Sequence, residues 1–321
     1  MQRIAAYTHS ESEIKDLKDT CEVSDYLKRY SVVWLDVVSP TQSEIDKLGE
    51  IFNFHRLALE DCLHTTQRAK VDNYEDHFFL ILKVANYNGK AGTYQLSMFV
   101  GKNYIVTVRE KNEPDVIKPI FEKIAIKNPT IMRNGTDYLC YLLIDVIVDD
   151  YLPVLDKIDD EIEEIETEII SENTKDAIDR IFKLKKDLLL LRKAIFPTME
   201  AIACIQRGDL PHLGKKTAVY FNDVYDHIVE VVDLLETSRE LISGALDIHM
   251  SKTQNTINEV AKMFAMFAII LMWPTVIAGI FGMNFKIDEY ESGSFGFYLS
   301  LGITLLLMIA TWIYFKQKKW I

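Results

Sequence analysis

The sequence predicts a membrane protein of combined α+β and α-helical class, with a layered N-terminal domain, a long helical stalk and two C-terminal transmembrane helices. Two apolar runs without a charged residue, 263–285 and 295–315, indicate the membrane spans, because each is long enough to cross about 30 Å of hydrocarbon. Strand-like runs between short helical patterns indicate the N-terminal domain, and unbroken helical periodicity before the first span indicates the stalk.

Composition excludes several classes of function for the 321 residues. A hydrophobic content of 49% is too high for a disordered chain. With 48 Asp and Glu against 36 Lys and Arg, the net charge of -12 argues against a nucleic-acid partner and favours cations. The sequence contains no Gly-rich phosphate-binding loop, so it does not indicate a nucleotide ligand. The four cysteines are widely spaced and predict buried thiols rather than disulfides.

Residues 1–128 alternate between strand and helix patterns. We predict a strand at 3–7, helical stretches over 11–30 and a buried strand at 32–37. In the segment Ser39-Pro40-Thr41-Gln42, the serine is placed to cap a helix, the proline to occupy its first turn and the glutamine to complete a capping box. Three β-rich runs follow, the last two joined by a hairpin turn at Gly101-Lys102-Asn103, and they cover 77–87, 94–100 and 104–109.

Residues 129–216 form a helical region with oppositely charged segments. Segment 156–168 is acidic, and its isoleucines recur every three or four residues, which predicts an amphipathic helix. We expect it to pair with the basic segment 175–193 in a helical hairpin, in preference to the alternative of a dedicated metal site. Breaks in the helical pattern are expected near Pro197 and from Gly208 to Gly214.

The stalk, 217–262, continues into the first span without a proline before Pro274, so one continuous helix is expected. Its first turns carry an acidic stripe at helical spacing. The stripe could collect a hard cation if another chain supplied further oxygens, but by itself it is typical of a solvated face. The acids are Asp223, Asp226, Glu230 and Asp233.

Charges around the spans set the predicted topology. The connecting loop, 286–294, carries only acids near its centre, Asp288, Glu289 and Glu291, besides Lys286 at its start. The tail, 316–321, carries Lys316, Lys318 and Lys319. The positive-inside rule therefore places both termini in the cytoplasm and the loop outside the plasma membrane. No cleaved signal or transit peptide is evident at the start of the sequence.

Two spans per subunit cannot enclose an aqueous path, so a transport role requires an oligomer. At 100° per residue, one side of the first span presents small, polar or flexible groups and is the better candidate to line a pore. The alternative is ordinary close packing of helices through small residues. The residues on this side are Asn258, Phe264, Ala265, Met272, Thr275 and Gly279.

The segment IAGIFGMNF, 277–285, resembles the Gly-Met-Asn motif that ends the first span in CorA-type magnesium channels. The resemblance extends over nearly the whole chain, through HRLALEDCL (55–63), QRAKVDNYE (67–75), DVYDHI (223–228) and the final Lys-Lys-Trp. It implies a homopentamer with an α/β/α cytoplasmic domain and a pore lined by the first span, and it implies no enzymatic activity.

The resemblance also implies roles for individual residues. Gly282, Met283 and Asn284 would form the selectivity filter, whose neutral oxygens suit a hydrated Mg²⁺ that must be selected and then released. Phe264 and Met272 match family positions that narrow the pore, Asn258 offers a second amide ring, and the loop acids would raise the local cation concentration. A positive ring at the inner mouth would consist of Lys262 and the three tail lysines.

Regulation by cytoplasmic Mg²⁺ is a further implication of the resemblance. In the family, acids at subunit interfaces bind Mg²⁺ and favour the closed pore, and Asp223 matches one of them. Its expected partner near position 88 is Asn88, which removes a negative charge from the site. Asp226 is a candidate to compensate.

Two alternatives remain open at the level of sequence. In the first alternative, the transported ion is Co²⁺, Ni²⁺ or Zn²⁺, since amide and carbonyl oxygens do not exclude these metals. A membrane-anchored metal sensor or enzyme without a pore is the second. No catalytic constellation supports an enzyme, because His227 beside Asp226 is the nearest approach to one and is typical of a pair on a helix surface.

Overall fold

The computed structural model describes residues 2–8, 11–17, 19–111, 115–125, 129–171, 177–208, 210, 213–214, 217–283 and 294–320. The chain divides into two compact units, Met1–Leu246 and Asp247–Ile321.

The first unit is built on a seven-stranded sheet with the order β2-β1-β3-β7-β6-β5-β4. β3 pairs in parallel with β7, and the other neighbouring strands pair antiparallel. The predicted hairpin between β6 and β7 is confirmed, with its turn at residues 102–103. The strands are β1 (Gln2–Thr8), β2 (Glu11–Leu17), β3 (Val32–Val38), β4 (Lys70–Asn73), β5 (His77–Tyr87), β6 (Ala91–Gly101) and β7 (Tyr104–Arg109).

Helices cover both faces of the sheet. Alternate residues of β3 point to opposite faces, so Trp34 belongs to one hydrophobic core, while Val33 and Leu35 belong to the other. The α/β/α architecture is thereby confirmed. The helices of this unit are α1 (Val23–Arg29), α2 (Gln42–Phe52), α3 (Arg56–Leu63), α4 (Lys118–Ala125), α5 (Pro129–Arg133), α6 (Thr136–Asp149), α7 (Leu152–Ile170), α8 (Ala177–Gln206) and the first part of α9 (Ala218–Phe281).

The prediction of helix over 11–30 is wrong for its first part, which forms β2. This strand pairs along its length with β1, and Arg3 of β1 contacts Asp16 of β2 at 3.0 Å. Glu13 accepts hydrogen bonds from Tyr26 and Tyr30 of the following segment. Pairing with a neighbouring strand therefore decides the conformation of a segment whose charged composition is also compatible with a helix.

The predicted helix start at Ser39 lies two residues too early. Thr41 is the N-cap of α2 and forms a reciprocal capping box with Glu44. Ser39 has a left-handed backbone (φ 50°), and its hydroxyl accepts the Lys111 N–H at 2.9 Å. The Ser39 side chain is thus used to join two loops of the domain.

The expected break at Pro197 does not occur, because α8 continues through it. Residues on both sides, Ile195 and Ile202, are completely buried, and the Thr198 hydroxyl donates to the Ala194 carbonyl at 2.9 Å. This packing holds the helix together where proline lacks an N–H. The break after α8 is confirmed, with Gly208 at φ 75°.

The amphipathic helix predicted over 156–168 is confirmed within α7, with its isoleucines buried. Among the described residues, its ion pairs with α8 come from one arginine rather than from the lysines of the basic segment. Arg180 contacts Glu161 at 3.7 Å, Glu164 at 2.9 Å and Glu168 at 2.7 Å.

The second unit contains the last part of α9 and α10 (Ser294–Gln317). The continuous helix predicted from the stalk into the first span is confirmed and passes through Pro274. By length and composition, α9 and α10 are both candidates to cross a membrane. The Trp273 indole N–H donates to the Thr311 hydroxyl at 2.9 Å and joins the two helices.

Candidate functional site

One side of α9 packs against α10. Met266 is buried and Trp273 is half-buried, and Ile270 and Ile277 line cavities together with residues of α10. At 100° per residue these four positions fall on a single side of the helix. Contact with α10 therefore uses one side of α9 and leaves the other side without a partner among the described residues of the second unit.

The predicted pore-lining residues occupy roughly the opposite side of α9. All of them are exposed, and the side chains of Phe264 and Met272 are 66% and 46% accessible. This side mixes amide, hydroxyl, aromatic, thioether and backbone groups, in contrast to the aliphatic side chains that are usual against lipid. The residues are Asn258, Phe264, Ala265, Met272, Thr275 and Gly279.

The first span ends in the residues of the predicted filter. α9 stops at Phe281, the Gly282 N–H donates to the Ala278 carbonyl at 2.8 Å, and the Met283 N–H donates to the Ile280 carbonyl at 3.2 Å. The last carbonyls of a helix lack intrahelical donors and form the negative end of its dipole, which attracts cations. Asn284, Asp288, Glu289 and Glu291 lie outside the described residues.

Two of the lysines predicted to form a basic ring lie beside tryptophans. Lys262 lies on the side of α9 that faces α10, and its ammonium is 5.2 Å from the centre of the Trp320 ring. The Lys316 ammonium is 5.1 Å from the centre of the Trp312 ring. Lys318 and Lys319 are exposed in the last turn after α10.

The first unit holds a cluster of acids around a histidine. His227 of α9 points Nδ1 toward Asp149 (3.5 Å) and Asp145 (4.0 Å) of α6, while its Nε2 lies 4.0 Å from Asp223. One ligand atom each from His227, Asp145 and Asp149 lies within 4.8 Å of the others, a spacing that one metal ion could bridge. Asp223 extends this group on the α9 side.

Electrostatics in the acid cluster favour a cation. Burial, and to a lesser extent the neighbouring carboxylate of Asp149, raise the pKa of Asp145, and Asp223 adds to the same effect. The charged form of Asp145 is therefore destabilised by its surroundings. A bound divalent cation would remove that cost.

The cluster does not include two of the three predicted regulatory residues. Asp226 is exposed on α9, one position before His227, and Asn88 is exposed in the turn between β5 and β6. Asp145 and Asp149 were missed by sequence reasoning. Their signal was two acids four residues apart in the apolar second half of the helix, a spacing that places both on one face.

Comparisons with known proteins identify relatives along the whole chain. A family model described as "CorA-like Mg2+ transporter protein" matches residues 30–317. A cobalt/magnesium transport protein CorA of Thermotoga maritima is 35% identical over 324 residues, covering 99% of this chain and 92% of that protein. A putative metal ion transporter of Bacillus subtilis is 30% identical over 287 residues, covering 89% of each.

Solved structures agree on the fold. The complete structure of the CorA magnesium transporter from Methanocaldococcus jannaschii has a TM-score of 0.86 at 22% identity, covering 100% of this chain and 99% of that one. The full-length CmaX protein has a TM-score of 0.74 at 15% identity, covering 99% and 97%.

Proposed function

Because the chain belongs to the CorA-like Mg2+ transporter family, whose members are transporters rather than enzymes, we propose that it is an ion channel that carries Mg²⁺ into the cytoplasm down the electrochemical gradient. Its location is the plasma membrane, with both termini in the cytoplasm, as the basic tail favours.

The exposed side of α9 is the observation that carries the channel proposal. α10 covers one side of α9, and in the part of the second unit that the structure describes, the side with Asn258, Met272, Thr275 and Gly279 has no partner. Several copies of the chain would bring these sides together around one axis and enclose a path that two helices alone cannot. We propose a homopentamer, the number that the family resemblance implies.

Selection is assigned to the outer end of the pore. A ring of Asn284 amides, supported by Gly282 and Met283, would contact Mg²⁺ through its water shell and so avoid the cost of dehydrating this ion. Asp288, Glu289 and Glu291 would concentrate cations at the entrance. Farther in, Phe264 and Met272 would gate by excluding water, with Ala265 leaving space between them.

Mg²⁺ influx into proteoliposomes with a trapped magnesium-sensitive dye tests the channel. We expect Mg²⁺ flux in the wild type and at least a tenfold loss of flux in Asn284→Ala. Repeating the assay with Co²⁺ or Ni²⁺ outside would rank the transported ions. Ser300→Ala on α10 is the matched control and keeps the wild-type flux. Folded, oligomeric wild type that passes no divalent ion would reject the channel in favour of a sensor.

Closure by cytoplasmic Mg²⁺ is the second part of the proposal. Asp223 would bind the ion, and Asp145 and Asp149 would supply the negative charge that Asn88 does not, a role for which the exposed Asp226 is less well placed. Binding that holds the closed arrangement would shift the population away from the open one.

Protection from proteolysis tests this regulatory site. Added Mg²⁺ should slow cleavage of the wild type by a protease, and Asp223→Ala should abolish most of that protection. Glu230→Ala, which removes an exposed acid from the same helix, should leave the protection intact. Equal protection of Asp223→Ala and wild type would contradict the assignment.

Co²⁺ and Ni²⁺ form a second candidate set of ions. An imidazole among carboxylates suits these metals better than it suits Mg²⁺, and His227 lies in the cluster. This candidate set would be supported if Co²⁺ slowed proteolysis at a lower concentration than Mg²⁺ does. His227→Ala should then remove the difference between the two ions.

A further inference from the structure

A cavity of 560 Å³ lies between α9 and α10 at the end of the second unit that carries the basic tail. Its lining changes character along α9. Glu259 and Lys262 form one end, and Phe267 and Ile270 lie about two turns farther along the helix. The cavity is therefore polar at one end and apolar at the other, over the length of a phospholipid glycerol region and the first part of an acyl chain.

The tail is folded so that it closes the polar end. After α10 the Trp320 N–H donates to the Phe315 carbonyl at 3.0 Å, and the Lys319 N–H donates to the Lys316 carbonyl at 3.1 Å. Lys319 adopts a left-handed backbone (φ 55°), and Trp320 stacks on Phe315 with ring centres 5.5 Å apart. These are the features of a Schellman motif, which ends a helix with a defined geometry.

The motif brings a cation of α9 and a cation of the turn after α10 to one place. It sets the Trp320 ring 5.2 Å from the Lys262 ammonium, and Lys319 and Trp320 both line the cavity. Glu259 is the acid among its lining residues, so the two lysines leave the polar end positive. This local excess contrasts with the net charge of -12 of the whole chain.

Lysines near the cavity stand at the ends of the two apolar runs, which places the cavity at the membrane surface. Lys262 immediately precedes the first apolar run, and Lys316 immediately follows the second. Trp312 lines the cavity as well, and tryptophan is typical of membrane interfaces. Basic pockets between transmembrane helices on the cytoplasmic side suit the head groups of anionic lipids.

We propose that this cavity binds an anionic phospholipid of the cytoplasmic leaflet. The ammonium groups of Lys262 and Lys319 hold the phosphate, Trp320 covers the glycerol region, and one acyl chain lies along Met266, Phe267 and Ile270. The inference rests on the cytoplasmic orientation of the tail in the proposed function. A bound lipid would join the tail to the start of the first span.

Native mass spectrometry of the full-length protein, titrated with phosphatidylglycerol or phosphatidylcholine, tests the site. We expect phosphatidylglycerol to bind more tightly than phosphatidylcholine. Lys262→Gln and Lys319→Asn should each weaken that binding about fivefold, the effect of one cation near an anionic lipid surface. Asparagine is chosen at position 319 because it tolerates a left-handed backbone, so the end of α10 is preserved.

Lys318→Gln is the matched control, because it removes one charge from the same tail at a position that does not line the cavity. Its phosphatidylglycerol affinity should stay within twofold of the wild type. Equal loss in Lys318→Gln and Lys319→Asn would overturn the proposal in favour of a diffuse attraction to charge. Equal binding of the two lipids would also overturn it.

A neighbouring copy of the chain is the competing occupant of the cavity. If a disulfide joined Trp320→Cys to Phe267→Cys of an adjacent subunit, and phosphatidylglycerol did not bind selectively, the neighbour would fill the site and the proposal would fail. Native mass spectrometry measures lipid binding independently of ion flux. The lipid site can therefore be tested even if the protein passes no Mg²⁺.

Discussion

At the scale of single residues, the cytoplasmic cluster shows how burial prepares a cation site. Asp145 is the least exposed of its carboxylates, and burial together with Asp149 raises its pKa. A carboxyl whose pKa is raised by folding makes the folded state less stable as the pH rises through that pKa, because the unfolded chain ionises more easily. Above its raised pKa, the charged Asp145 therefore opposes folding until a cation binds.

Asp145→Asn should accordingly raise the melting temperature of the metal-free protein at pH 7 and reduce the further increase caused by Mg²⁺. At ten times its dissociation constant, a bound ion stabilises the wild type by about 1.4 kcal/mol, or about 3–6 °C. Thermal unfolding with and without Mg²⁺ measures both effects. Asp226→Asn, an exposed acid outside the cluster, should change neither, and a full Mg²⁺ effect in Asp145→Asn would exclude this carboxyl as a ligand.

At the scale of elements, the two sides of α9 have different roles. Thr275 is exposed on the proposed pore side, whereas Ile277 lies about 200° away and faces α10. If one side of α9 faces water and the other faces α10, cysteines placed only two residues apart on this helix should differ in their reactivity.

Thr275→Cys should react with a charged, water-soluble thiol reagent and lose at least tenfold in Mg²⁺ flux, because the added charge and bulk would block a narrow pore. Ile277→Cys should remain unmodified and conduct. The background lacks the exposed Cys21 and the half-exposed Cys204. Modification of Ile277→Cys in preference to Thr275→Cys would place the aqueous path on the other side of the helix.

At the scale of the whole molecule, the proposed channel needs no energy source beyond the membrane potential. Each Mg²⁺ that enters across 100 mV, inside negative, gains about 4.6 kcal/mol, which corresponds to an equilibrium accumulation of about 2,000-fold. Proteoliposomes with a potassium diffusion potential should therefore take up Mg²⁺ when the inside is negative. With equal Mg²⁺ on both sides and the inside positive, the direction of net flux should reverse, and uptake against both gradients would contradict a passive channel.

The sequence by itself determined the elements whose signals are local. Uncharged runs of more than twenty residues indicate membrane helices whatever their neighbours, and the isoleucine spacing of α7 identified its buried side. The strands β5 and β7 were predicted with their observed bounds, because continuous apolar runs bounded by turn residues leave few alternatives. The family and the exposed side of the first span also followed from motif and periodicity.

Only the tertiary structure decided features that depend on distant partners. β2 is a strand because β1 pairs with it, α8 passes Pro197 because the core packs on both sides, and Asp145 and Asp149 join Asp223 because α6 lies beside α9. Lys319 likewise lines the cavity between α9 and α10 because the turn after α10 places it there. A hydrogen bond or an ion pair between residues far apart in the chain leaves no periodic trace in either segment, so its free energy enters only when the fold brings the two together.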